Sequence, residues 1–217
     1  MGSNEQTSGF SQIQSPAQTR FTEYLIREND RIQDGFDSWL FHPGMLFHSP
    51  NKWWGDRGKR NTPHEGLDLC LYRDQDGRIH CLDDNTRIPV LYDGVIVAIV
   101  NDFLGKSVIV EHQYDDSDSL GFCSIYGHIN PPDNLQLGKS VKKGGILATI
   151  ADSSRSKSGI QPHLHISLGV TGKFISYERF DWKTIGSWDL LTLLDPLLVL
   201  DRPYQVLEDF PAPLRQG

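Results

Sequence analysis

The chain has 217 residues, with 28 acidic against 21 basic side chains for a net charge of −7, and is 38% hydrophobic and 10% aromatic. That length suits one domain of ordinary size and can bury a core without staples. A charged fraction of 23% excludes extended disorder, and the acidic balance argues against nucleic acid or an anionic membrane as partner, since both favour a basic face.

Residues 1–14 are polar, and Ser15-Pro16 reads as an N-cap followed by a first helical position. Phe21, Leu25, Ile32, Phe36 and Trp39 recur at multiples of three and four, which predicts an amphipathic helix over about 16–40. From Phe41 to Pro63 the chain is irregular and contains the pair Trp53-Trp54. Apolar runs then follow at 67–73, 88–100, 107–113, 121–129, 145–151 and 163–170, separated by turn clusters such as Asp76-Gly77, Pro131-Pro132 and Lys143-Gly144-Gly145. Their richness in Val and Ile and their spacing predict an antiparallel β domain. The segments divide as 1–59 (helix and loop), 60–175 (core) and 176–217 (an extension that wraps the core). The most apolar late run, Leu190 to Leu200, is broken by Asp195 and Pro196 and is no membrane span. No signal peptide is visible.

Three cysteines (Cys70, Cys81, Cys123) are an odd number, so at least one is free or pairs between chains. Cys70 and Cys81 flank the Asp76-Gly77 turn and could approach each other, although a two-residue hairpin loop would set Cys81 opposite Tyr72. The run Asp115 to Asp118 lacks the ligand spacing of a calcium loop and reads as a solvated turn.

Chemistry concentrates in three strings. Pro63-His64-Glu65-Gly66-Leu67-Asp68 reads as a loop entering a strand, where His64 can curl over and meet Asp68 at one ion. Tyr126-Gly127-His128 falls at a strand end. In Pro162-His163-Leu164-His165-Ile166 the two histidines share one strand face. Imidazole nitrogen and carboxylate oxygen suit Zn²⁺, and an open fourth position marks a hydrolytic site rather than a structural one. No His-Glu-x-x-His helix is present, so a histidine beside the metal would have to act as general base.

With these strings in order, the sequence resembles the lysostaphin/LytM-type zinc endopeptidases, metallopeptidase family 23, whose pattern is His-x-x-x-Asp, then Tyr-x-His, then His-x-His. Asp93-Gly94-Val95-Ile96-Val97, Gly105-Lys106-Ser107-Val108-Ile109-Val110-Glu111-His112 and Leu137-Gly138-Lys139-Ser140-Val141-Lys142-Lys143-Gly144 look like its core strands and hairpin. The resemblance implies a mainly β fold of antiparallel twisted sheets (the LytM-like duplicated hybrid motif) with an N-terminal helix and a C-terminal extension. It implies one zinc per chain held by His64, Asp68 and His165, with His128 and His163 as the catalytic pair in unassigned roles. It further implies hydrolysis of peptide bonds in bacterial peptidoglycan and a periplasmic or extracellular location, the missing signal peptide leaving the cytoplasm open.

His112 also falls where relatives often carry a histidine, but strand-end hydrogen bonding accounts for it and it stays outside the site. His42 or His48 is placed to block a metal as N-terminal segments do in some relatives, although loop histidines are usually just solvated. Trp53-Trp54 is expected to pack on the β core rather than wall a groove. The 72–87 segment looks like an extra hairpin, and the turn before His163 is longer than in relatives, so substrate preference does not transfer. Two other readings compete: a non-catalytic scaffold or activator in a cell-wall complex, which missing ligands would betray, and a lipoyl- or biotin-type carrier, which leaves the histidines unexplained.

Overall fold

The structure is a computed structural model and describes residues 16–33, 35–113, 120–154, 156–172, 177, 180–186 and 191–208. Helix α1 (Phe21–Glu28) is followed by the single turn α2 (Asp30–Gln33), and the chain then enters strand β1 (Phe36–Phe41). The single helix expected over 16–40 is therefore corrected: it starts at Phe21, and residues 36–40 belong to a strand. Asn29 ends α1, its side chain donating to Leu25 O and Arg87 O and accepting from Arg87 N. Phe36 and Trp39, three apart, suit a helix face equally well, but the pairing of Trp39 with Tyr72 decides for strand. Ser15 and the run Asp115–Asp118 lie outside the described residues.

Next come β2 (Leu67–Leu69), β3 (Leu71–Asp74), β4 (Ile79–Cys81), β5 (Arg87–Pro89), β6 (Gly94–Asn101), β7 (Lys106–His112), β8 (Leu120–Asn130), β9 (Ser140–Val141), β10 (Ile146–Ile150) and β11 (Leu164–Gly172). The extension adds α3 (Trp182–Gly186), β12 (Leu191–Leu194) and β13 (Tyr204–Val206). The fold is mainly β and its sheets are antiparallel apart from β1 with β13, which run parallel.

Two sheets result. The larger is ordered β12-β11-β8-β7-β6-β9, with β10 joining β8 to β5 and with β2 on β11. The smaller is ordered β13-β1-β3-β4. Between β3 and β4 the turn is longer than the two residues expected. Asp74 O accepts from Gly77 N, Arg78 O accepts from Asp74 N, and Gly77 takes the left-handed φ of +82° that closes such a loop. That shifts the register by one, so Cys81 faces Leu71 instead of Tyr72. All three cysteines are free thiols; Cys70 Sγ donates to Pro162 O at 3.4 Å, and Cys70 and Cys81 both reach Gln161 Oε1 rather than forming a disulfide.

Strand β11 is buried on both faces, its apolar residues alternating with buried His165, Ser167 and Thr171. Leu164, Ile166, Leu168 and Val170 enter the main core with Phe21, Leu25, Trp39, Leu67 and Tyr126. On the other face, Ile109, Cys123 and Ile125 are covered by Phe180, Ile185, Leu191 and Leu193 from the extension. No helix among the described residues is long and apolar enough to cross a membrane.

Candidate active site

Sheet register brings the first ligand candidates together. Strand β2 pairs with the start of β11 so that Asp68 lies directly opposite His165, and β8 sets Gly127 against the other side of His165. Directly opposed residues in an antiparallel pair have side chains within reach of one another. His64, four residues before Asp68, is bound into place from the other direction. Its backbone N donates to Ser49 O, its carbonyl accepts from His48 N, and its Nδ1 donates to Leu46 O at 3.0 Å.

Gly66 makes this loop possible. A Cβ there would lie 2.2 Å from Ile166 O and 2.7 Å from both His165 Nε2 and Ser167 Oγ. Only a residue without a side chain lets the loop lie flat on β11.

The three ligand atoms form a compact triangle. His64 Nε2 is 3.1 Å from His165 Nδ1, His165 Nδ1 is 2.9 Å from Asp68 Oδ1, and His64 Nε2 is 3.2 Å from Asp68 Oδ1. All three residues are buried, and together they form the group able to hold a metal ion among the described residues. Tetrahedral zinc with bonds of about 2.1 Å spaces its ligands by about 3.4 Å, so outward shifts of a few tenths of an ångström would accommodate it.

Surrounding groups fix which atom each ligand offers. With Nδ1–H of His64 given to Leu46 O, its Nε2 is bare. His165 Nε2 lies 2.8 Å from Ser167 Oγ, so a proton held there leaves Nδ1 for the metal. Asp68 Oδ2 accepts from Trp53 Nε1 at 2.7 Å and faces Arg60 Nη2 at 3.6 Å, which leaves Oδ1 to the histidines. Burial pushes the Asp68 carboxyl up, but the charges of His64 and His163 and bonds from His165 and His64 outweigh it and hold it well below the usual carboxylate range. His165 is lowered, burial outweighing the attraction of Asp68.

His163 and His128 flank this triangle. His163 Nδ1 donates to Gln161 O at 2.8 Å, and its Nε2 stands 3.8 Å from Asp68 Oδ1. Burial, opposed by Asp68 and aided by His128, pushes His163 down to about 3, so the ring is neutral. The His128 ring is 4.8 Å from that of His163 and 5.8 Å from that of His165. Its backbone adopts a left-handed φ of 60° that is uncommon outside glycine. The Tyr126 hydroxyl of the same string is structural, accepting from Leu91 N at 2.8 Å.

The remaining histidines separate from the site. His112 is buried between Asp93 O and Ser124 Oγ, at 2.9 and 2.7 Å. His80 pairs with Asp74 at 2.6 Å. His42 and His48 stand outside the ligand triangle, and the loop carrying them orients His64 through Leu46 O and Ser49 O. His42 is buried rather than solvated. Trp53 is buried as expected, yet it also holds Asp68 and meets the His163 ring edge-on at 5.2 Å.

Trp182 is a contact that sequence reasoning missed. It packs edge-on to His165 at 4.9 Å and lies along His128 at 6.2 Å. Asp102, also missed, comes from the β6–β7 turn and sets Oδ1 3.3 Å from His128 Nδ1. Phe103 is exposed and abuts the His128 ring at 4.7 Å, with Trp54 a further 6.3 Å along.

Residues 75–176 match the model of peptidase family M23, a span that includes His128, His163 and His165. Over that span, just under half of the chain, the protein is similar to peptidase family M23. His64 and Asp68 lie ahead of the matched span, and the register with β11 ties them to it. Among solved structures the chain is similar to lysostaphin, at 16% identity and a TM-score of 0.37, over 67% of this chain. That likeness spans 50% of the lysostaphin chain. It is also similar to a mutant catalytic domain of EnpA, a prophage-encoded M23 protein from Enterococcus faecalis. There the identity is 22% and the TM-score 0.34, over 64% of this chain and 88% of that one. No curated protein matches the chain.

Proposed function

We propose that the protein is a zinc-dependent endopeptidase that hydrolyses peptide bonds in the stem peptides or cross-links of bacterial peptidoglycan, in the periplasm or outside the cell. The observation that carries this reading is the buried triangle of His64 Nε2, Asp68 Oδ1 and His165 Nδ1 with two further histidines against it. A scaffold that had lost catalysis would have no need to keep every ligand and both flanking rings.

His64, Asp68 and His165 would hold the metal, which when bound supplies a Lewis acid and an acidified water. Trp53 and Arg60 restrain Asp68 so that one oxygen alone faces inward, and Ser167 and Leu46 O orient the two imidazoles. His163, neutral and with its proton committed to Gln161 O, presents a bare Nε2 toward the ligand group. His128 stands beside it, and a neutral ring so placed can take a proton from the nucleophile and return it to the leaving amine. Phe103 and Trp54 form an aromatic rim next to His128 where the peptide would lie.

Two measurements test the proposal. Metal analysis is expected to find about one zinc per chain and none in Asp68→Ala. Mass spectrometry of purified sacculi is expected to show muropeptides released by the wild type and not by folded His163→Ala, and to identify the bond cut. Equal, negligible zinc in wild type and Asp68→Ala, or unchanged release by His163→Ala, would overturn it.

A further inference from the structure

Asp102 closes the β6–β7 turn, and its side chain is fully buried. Oxygen Oδ1 accepts from Leu104 N and Gly105 N at 2.9 and 2.7 Å. Oxygen Oδ2 accepts from Ser107 Oγ at 2.7 Å and from the backbone N of His128 at 2.9 Å. These bonds fold the turn, yet two features are left over once the turn is explained. One is that an acceptor from the β6–β7 turn reaches the backbone of His128, where the chain takes its left-handed bend. The other is His128 Nδ1, a buried nitrogen 3.3 Å from Asp102 Oδ1 with no hydrogen-bond partner among the described residues.

The direction of every proton around Asp102 is determined. Trp182 Nε1 can only donate and gives its hydrogen to Ser107 Oγ at 3.0 Å. The Ser107 hydroxyl then donates to Asp102. Burial would raise the Asp102 carboxyl, but its neighbours, with Ser107 Oγ and the backbone N of His128 donating to it, hold it well below the usual range. An ionised carboxylate accepts only. The ring edge facing it is stable when it carries hydrogen and repelled when it carries a lone pair.

We infer that Asp102 is the positioning residue of His128, fixing its backbone bend and holding the imidazole with the proton on Nδ1 and a bare Nε2. The assignment rests on the reading of His128 as a catalytic group. It separates the two flanking histidines: His163 takes its tautomer from a neutral backbone carbonyl, His128 from a buried negative charge. A carboxylate in that place keeps the accepting nitrogen available and favours the ring when it carries an extra proton. Trp182 and Ser107 support the carboxylate from behind, which gives the extension a part in the site.

The test uses the full chain without metal, labelled with ¹⁵N, at about pH 8, above the ordinary histidine value near 6.5. Long-range ¹H–¹⁵N spectra, with His128 assigned from its loss in His128→Gln, are expected to show His128 protonated on Nδ1. Asp102→Asn is expected to shift the ring toward the Nε2–H form. In the zinc-loaded protein the same variant is expected to lower kcat on a stem-peptide substrate about 100-fold, with KM and zinc content within about twofold. Ser107→Ala, which leaves the Asp102–His128 edge intact, should keep the Nδ1–H form.

An Nε2–H ring in the wild type overturns the assignment, as does Asp102→Asn with kcat within about threefold of wild type. Should Asp102→Asn fail to fold, the wild-type and Ser107→Ala spectra decide alone. A wild type that is Nδ1-protonated but cleaves nothing removes the peptidase reading and sustains the Asp102 assignment. An active wild type with the other tautomer does the reverse.

Discussion

Trp53 donates from Nε1 to the one oxygen of Asp68 that the histidines do not use, and its ring edge packs on His163. Replacing it with Phe keeps most of the packing and removes the donor. Trp53→Phe is therefore expected to weaken zinc binding about 10- to 100-fold in a chelator competition, with the fold retained. Phe103, exposed against His128, is expected to matter for substrate and not for metal. Phe103→Ala should raise KM several-fold and leave zinc affinity unchanged, as steady-state kinetics beside the same competition would show. The three candidate ligands were legible in the sequence because His-x-x-x-Asp and His-x-His are unusual combinations with a direct chemical reading. Trp53, Trp182, Ser167 and Asp102 were not. Trp53, Trp182 and Asp102 are ordinary residues brought to their partners only by the fold, and Ser167, two residues from His165 on the same strand, carries no chemical signal of its own.

Among the elements, β2 is the shortest piece of the site and the most exacting. It contributes three residues, it places Asp68 opposite His165, and it depends on the bare backbone of Gly66. Gly66→Ala would push the loop off Ile166 O and open the β2–β11 pairing. The expected result is a loss of about 2–3 kcal/mol in urea titration and of stoichiometric zinc together. Stability loss with full zinc retention would show that the loop can move without the site. Strand positions in the central domain followed from their Val- and Ile-rich runs, since burial of both faces leaves little room for other residues. The misread segment was 36–41, where Phe36 and Trp39 satisfy a helical period and only the partner strand β3 settles the matter. The hairpin register was missed by one residue because Asp76-Gly77 suits a two-residue loop as well as the three-residue loop present.

Across the whole molecule, buried neutral histidines make stability depend on pH. Burial, opposed only by the bond and charge of Asp93, pushes His112 from 6.5 down to about 4. The folded state then binds fewer protons than the unfolded chain between these values, so stability rises with pH across that window. The stabilisation is intact above about pH 6.5 and is lost as pH falls toward 4, to a total of about 3 kcal/mol at 1.36 kcal/mol per pH unit. Urea titrations along this range are expected to give a slope that is shallower in His112→Gln, and equal slopes would show that another group carries it. Connectivity has a consequence of a different kind. Strand β1 pairs with β13 through Trp39 and Tyr204, and the backbone N of Thr19 donates to Val199 O. The first described residues thus wait for the last ones, while His165 and Trp182 meet His64, Asp68 and His128 only after most of the chain exists. Loops of that size close slowly, and the His64–Asp68–His165 group is among the last parts able to form. A growing or truncated chain that ends before β11 carries His64 and Asp68 without their third partner. Synthesis order alone would then keep the His64–Asp68–His165 group unassembled until β11 has been made.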